Sequence, residues 1–198
     1  MLKPKSSGPA PILRGLFLLA RFRSEGLDLF DRGMTGVLAS LAPLMALPLV
    51  LAALSLAQPE AGVPLGAVLA QMLWLIVALL APVVISYEIA RRWGLLDTWP
   101  RYAAAIDWCV WLSPVAAMVV GVAVRVLFAT GVPAVPLVWA GFGGVLCYLL
   151  AVHWFVARHG LGVSKLRAAV VVLATNGGAA LLVSVPGLVR TLLTGALP

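Results

Sequence analysis

Five long apolar segments divide this chain, and its basic residues fall almost entirely in alternate gaps between them. Lys3, Lys5, Arg14, Arg21, Arg23 and Arg32 precede the first segment, Arg91, Arg92 and Arg101 lie in the second connection, and Arg158, Lys165 and Arg167 in the fourth. Of the fourteen Lys and Arg residues this leaves Arg125 and Arg190 for the other side. An apolar run of about 20 residues is the length of a transmembrane helix, and Lys and Arg accumulate in cytoplasmic loops. The pattern predicts an all-α integral membrane bundle of five transmembrane helices. Its N-terminus is expected in the cytoplasm and its C-terminus on the opposite side.

Composition excludes the soluble alternatives. The 198 residues are 63% hydrophobic and 11% charged, whereas soluble domains keep roughly a quarter of their residues charged. A net charge of +7 in a soluble protein would suggest nucleic acid. Here the bases lie where headgroups are, so the expected partner is a bilayer with anionic lipids, and no nucleic acid. Cys109 and Cys147 both fall inside apolar segments with no CxxC spacing, which points to packing residues rather than a disulfide or redox pair.

The spans are expected at Thr35 to Ala57, Leu65 to Ala90, Tyr102 to Val124, Pro136 to Ala157 and Leu166 to Val189. They make residues 34–198 a transmembrane domain behind a cytoplasmic segment of residues 1–33. The lysines at the start do not make a signal peptide, because Pro4, Pro9 and Pro11 break the early stretch and no small-residue cleavage site precedes Arg21. The stretch from Ile12 to Phe22 is too short to span and reads as an interfacial amphipathic helix with Arg14 and Arg21 on one polar stripe. Arg14, Phe17, Arg21 and Phe22 would offer a basic, apolar surface to lipid or to a partner helix. Arg91, Arg92 and Arg158 are expected at the same interface, together with Trp93, Trp99, Tyr102 and Trp154, whose amphipathic rings prefer headgroup level. Short connections make sequential helices antiparallel. Prolines 43, 48, 82, 114 and 186 each leave the carbonyl four residues earlier without its amide, Pro82 freeing Ala78 and Pro114 freeing Val110. Small residues at Gly36 and Ser40, Ala117 and Gly121, Ala140 and Gly144, and at Gly177 and Gly178, are expected to let helices approach closely.

Four polar side chains stand inside these spans: Glu88, Asp107, His153 and Asn176. A charged group near the bilayer centre costs about 2.5–3.5 kcal/mol even on the mildest insertion scale, so such groups usually turn inward. At about 1.5 Å per residue, Asp107 lies about 9 Å inside Arg101 and Asn176 about 13 Å inside Arg167, with Glu88 and His153 shallower. Their similar depth on sequential antiparallel helices makes a cluster of Glu88, Asp107 and His153 geometrically possible toward the cytoplasmic side. In it Asp107 would hold His153 charged, and Arg101 or Arg158 would neutralise Glu88. These groups read as a structural plug, as a proton relay or small-ligand pocket with Trp108 and Trp111 as walls and Asn176 as a deeper polar group, or as side chains that snorkel independently.

Catalytic and metal chemistry are not indicated. His159 lies about 240° around the helix from His153, so the two cannot share a metal from one face, and no HxxxH or CxxC spacing is present. GxSxG, HExxH and a Gly-rich phosphate loop are also missing. No cofactor, metal or catalytic residue is expected.

The segment from Arg21 to Asp31, RFRSEGLDLFD, and that from Asp107 to Pro114, DWCVWLSP, sit in a layout of a polar amino end followed by five spans. That layout, from about Arg23 to Leu193, resembles the Yip1-domain membrane proteins and small bacterial proteins of similar organisation. The Asp-Leu-x-Gly-Pro and Gly-Tyr elements of eukaryotic Yip1 members are not in this chain, so the resemblance carries topology and no functional residues. The expected function is that of a non-enzymatic multi-pass membrane protein, a scaffold or accessory subunit acting through lipid or a membrane-protein partner. A small transporter or proton-coupled permease, and an intramembrane enzyme, are the alternatives. High apolar content fits a bacterial inner membrane.

Overall fold

The chain turns out of α1 (Pro9–Ala20) at Phe22, which takes a left-handed backbone (φ 55°), and enters a 3₁₀ turn, Ser24–Leu29. The computed structural model describes residues 9–57 and 64–194; Lys3, Lys5 and most of the connection after Ala57 lie outside the described residues, as does the side chain of Arg190. The helices that follow are α2 (Met34–Leu56), α3 (Leu65–Trp93), α4 (Trp99–Cys109), α5 (Leu112–Ala129), α6 (Ala134–Gly160) and α7 (Lys165–Thr194). Five stretches are long and apolar enough to cross a membrane, and the described residues contain no strand. The expected all-α bundle of five spans is what the structure shows.

The third span departs from a single continuous helix. It runs over Trp99–Ala129 and is interrupted at Val110 and Trp111. Pro114 has no amide to give the Val110 carbonyl, which instead accepts the Ser113 amide at 3.1 Å, and the Val110 and Trp111 amides bond three residues back, to Asp107 and Trp108. The tightened turn separates α4 from α5.

The basic connections meet at one end of the bundle. Arg167 lies over the Trp93 ring at 5.3 Å, Trp154 Nε1 donates to the Lys165 carbonyl at 3.1 Å, and Arg101 pairs with Asp28 at 3.4 Å. The hydrophobic core lies toward this basic end. There α4 is surrounded by α1, α2, α3 and α6, and Leu19, Ala90, Cys109, Val156 and Val171 are fully buried. Trp99 and Tyr102, expected at headgroup level, are part of that core, 4% and 2% exposed. Trp99 can be buried because Ser86 Oγ accepts its indole N–H at 3.2 Å and Tyr87 meets its ring edge-on.

Beyond α4 the remaining helices form an arc, α2 on α3, α3 on α7, α7 on α6 and α6 on α5. No residue of α5 is buried. Close approach is made at one of the expected glycines, Gly178, where a Cβ would stand 2.5 Å from Ile85 Cδ1 of α3, and otherwise at residues not expected. A Cβ on Gly26 would stand 2.7 Å from the Gly15 carbonyl, so this pair sets how tightly the 3₁₀ turn lies on α1. Gly36 faces Asp31 of its own lead-in rather than another helix, while Gly121, Gly144 and Gly177 border open space.

Candidate functional site

The four polar side chains of the spans do not converge. Glu88 is held by its own helix: Arg91 donates to both its oxygens (2.8 and 2.9 Å) and Arg92 to one (2.7 Å). Both arginines lie within one helical turn of Glu88, and this local fork wins over Arg101 and Arg158. Arg101 is taken by Asp28, and Arg158 lies over the Trp154 ring at 5.6 Å. Neither therefore neutralises Glu88 as expected. Among the described residues no hydrogen bond or ion pair joins Glu88, Asp107 and His153 to one another. The expected three-residue cluster is corrected to three separate sites.

Asp107 has the most enclosed site. It is 3% exposed, sits in the last turn of α4 and meets Ser40 of α2, whose Oγ lies 2.9 Å from Asp107 Oδ2. Ser40, fully buried, also donates to the Val37 carbonyl at 2.8 Å. One hydroxyl proton thus faces two acceptors. Ser40 is the partner that sequence reasoning missed. By sequence it reads as a small packing residue, and its position four residues after Gly36 says nothing about which helix lies opposite.

His153 and Asn176 do come together, across α6 and α7. Asn176 Nδ2 donates to the Val172 carbonyl at 2.9 Å, which turns Oδ1 toward His153 Nδ1 at 3.2 Å. In this arrangement Nδ1 carries the proton shared with Oδ1. His159 is occupied separately, its Nδ1 2.9 Å from the Phe155 carbonyl. Among the described residues no group of three or more His, Cys, Asp or Glu is placed to hold a metal. A hydrogen-bonded His and Asn supply a helix-to-helix tie and no nucleophile.

The expected pocket walls separate as well. Trp108 packs on the core, and Trp111, beside the break, has a buried indole nitrogen without a partner among the described residues. A cavity of about 730 Å³ lies elsewhere, along α1, α5 and α6, and neither tryptophan lines it.

Helix α1 and the turn that follows it form a built structure. Leu19 is fully buried, Tyr148 of α6 donates its hydroxyl to the Ala20 carbonyl at 2.7 Å, and Phe22 meets Tyr148 and Phe155 edge-on at 6.1 and 5.6 Å. These aromatic contacts hold the left-handed Phe22 in place. Arg14 and Arg21 remain exposed, and the Arg21 guanidinium lies over the Phe17 ring at 5.4 Å.

Comparison of the chain with family models, curated proteins and solved structures finds no match.

Proposed function

We propose that this chain is a non-enzymatic multi-pass membrane protein that serves as a scaffold or accessory subunit through contacts with protein or lipid inside the bilayer. The observation that carries this reading is α5, a span half that leaves the core at the Val110–Trp111 break, leans chiefly on α6 and buries none of its residues. Met118 and Val122 lie on its face away from α6 and are 65% and 59% exposed. A helix attached along one side has room for a second neighbour. The separate pairing of Glu88, Asp107 and His153 supports the non-enzymatic part, because among the described residues these polar groups do not converge on a space where a substrate would react. The positive-inside rule assigns the basic end and the N-terminus to the cytoplasm, and a bacterial inner membrane is the fitting location. A Yip1-like layout is part of this proposal and concerns topology alone.

Photo-crosslinking residues at Met118 and Val122, in the full chain in its own membrane, test the reading. Leu73 of α3, 59% exposed, is the comparison. A protein adduct of one discrete mass from Met118 and Val122, and none from Leu73, is expected. Lipid adducts alone at all three positions would overturn the protein-contact reading.

A second reading, a small transporter or proton-coupled permease, is favoured by one observation: Asp107 lies just before a break in a span. Interrupted helices line ion and substrate sites in transporters. Asp107 as a proton carrier would also complete the hydrogen-bond count, since a second proton lets both Ser40 contacts form. Proton flux in vesicles that Asp107→Asn abolishes would support this reading, and flux unchanged in that variant would remove the residue's role. An intramembrane enzyme has no comparable support, since the side chain that meets His153 is an amide.

A further inference from the structure

Helix α1 carries two apolar stripes. Gly15 and Leu19 are buried, and Ile12 packs beside them on the core. Leu13, Leu16, Phe17 and Ala20 recur at helical spacing on another face and line the 730 Å³ groove, with Leu13 and Phe17 still 64% and 59% exposed. The facing walls are Val115 and Val119 of α5 and Gly144 and Tyr148 of α6. The groove extends about 12 Å along α6, from Ala140 to Tyr148 at about 1.5 Å per residue. Its volume lies within the usual range for a small-molecule site, roughly 300–1,000 Å³. Because Tyr148 donates to the Ala20 carbonyl, the phenol adds no free donor to this apolar space.

Charge at the rim indicates what would enter. Arg32, Arg91, Arg92 and Arg101 each meet a carboxylate. Arg14 and Arg21, seven residues apart on one stripe of α1, meet none among the described residues. Arg21 is held over Phe17, itself a groove wall, which sets an unpaired guanidinium at the edge of an apolar slot.

We infer that this groove binds one anionic phospholipid, with an acyl chain between α1, α5 and α6 and the phosphate at Arg21 and Arg14. The inference rests on the lipid half of the function proposed above and commits it to a site. Ordinary lipid facing the bundle has protein on one side only; here three helices surround the chain and a cation meets the headgroup.

Native mass spectrometry of the full chain in detergent, with equimolar phosphatidylglycerol and phosphatidylcholine of the same chains, tests it. One phosphatidylglycerol per chain is expected, in clear preference to phosphatidylcholine. Arg21→Gln should reduce that preference about fivefold, the usual contribution of one basic residue at an anionic surface. Gly144→Leu should lose the bound lipid; Gly144 lines the groove and a Cβ there meets nothing within 4 Å, so the new side chain starts from open space. Val119→Phe fills the same space from α5 and guards against misfolding of the first variant. Inorganic phosphate should fail to displace the lipid, because it has no acyl chain. Equal retention of the two lipids, displacement by inorganic phosphate, or unchanged retention in both groove-filling variants would overturn the site. A chain that crosslinks to a partner through Met118 and Val122 yet shows no lipid preference fails here alone.

Discussion

The indole N–H of Trp74 in α3 donates to the Leu182 carbonyl of α7 across 2.7 Å, and Leu182 is the residue four before Pro186. Pro186 has no amide to offer that oxygen, so the acceptor would be left bare in a low-dielectric setting. A tryptophan from the neighbouring helix satisfies it, and a break in one helix becomes a tie between two.

Trp74→Phe should therefore lower stability by about 0.6–1.7 kcal/mol, the range for interhelical hydrogen bonds in membranes. In a Pro186→Ala background the helix regains its own amide donor, and the same change should cost little. Unfolding of the four proteins in mixed micelles gives the coupling. An equal cost in both backgrounds would mean that the bond does not act through the proline.

Ser40→Ala should destabilise by about 1–3 kcal/mol, because it strands a buried carboxyl. Asp107→Asn should be milder. Its amide can donate to Ser40 Oγ while Ser40 donates to Val37, which keeps the buried chain of hydrogen bonds intact. If Asp107→Asn unfolds as easily as Ser40→Ala, the fold requires the carboxylate itself.

Gly26→Ala should cost about 1–3 kcal/mol, since the added methyl stands against the Gly15 carbonyl and Leu18 Cβ, neither of which can swing away. Gly177→Ala adds the same methyl to open space within α7 and should be neutral or gain up to about 1 kcal/mol in helix propensity. Thermal stability of the purified variants separates the two, and equal losses would contradict the close packing of α1 on the 3₁₀ turn.

Glu88→Gln should leave the unfolding midpoint where it is. Its partners Arg91 and Arg92 are 59% and 74% exposed, and exposed pairs within one helix contribute little. A clear fall in the midpoint would show that this carboxylate has a structural task beyond its own helix.

The five spans were readable because length, apolarity and charge are properties of a segment by itself. The pairing of His153 with Asn176 was half legible, since both stood out as costly polar groups on neighbouring helices. Distant cations look as eligible for Glu88 in the sequence as Arg91 and Arg92, which stand about one turn away. The burial of Trp99 and Tyr102 is not legible, because an aromatic beside a charged connection looks alike whether it faces headgroups or a neighbouring helix. Ser40 and Trp74 carried no signal, because a small hydroxyl and an apolar ring are ordinary in any span.

What the amino-acid sequence determined by itself is the class of fold, an all-α bundle with five membrane-length helices. Transfer of apolar residues out of water depends on composition along the chain and needs no knowledge of neighbours. Only the tertiary structure decided which polar atoms meet, how α5 leaves the core, and where the groove under α1 opens. Those outcomes depend on how far each helix is rotated about its own axis, and a helix apolar on every face leaves that rotation to packing against the others.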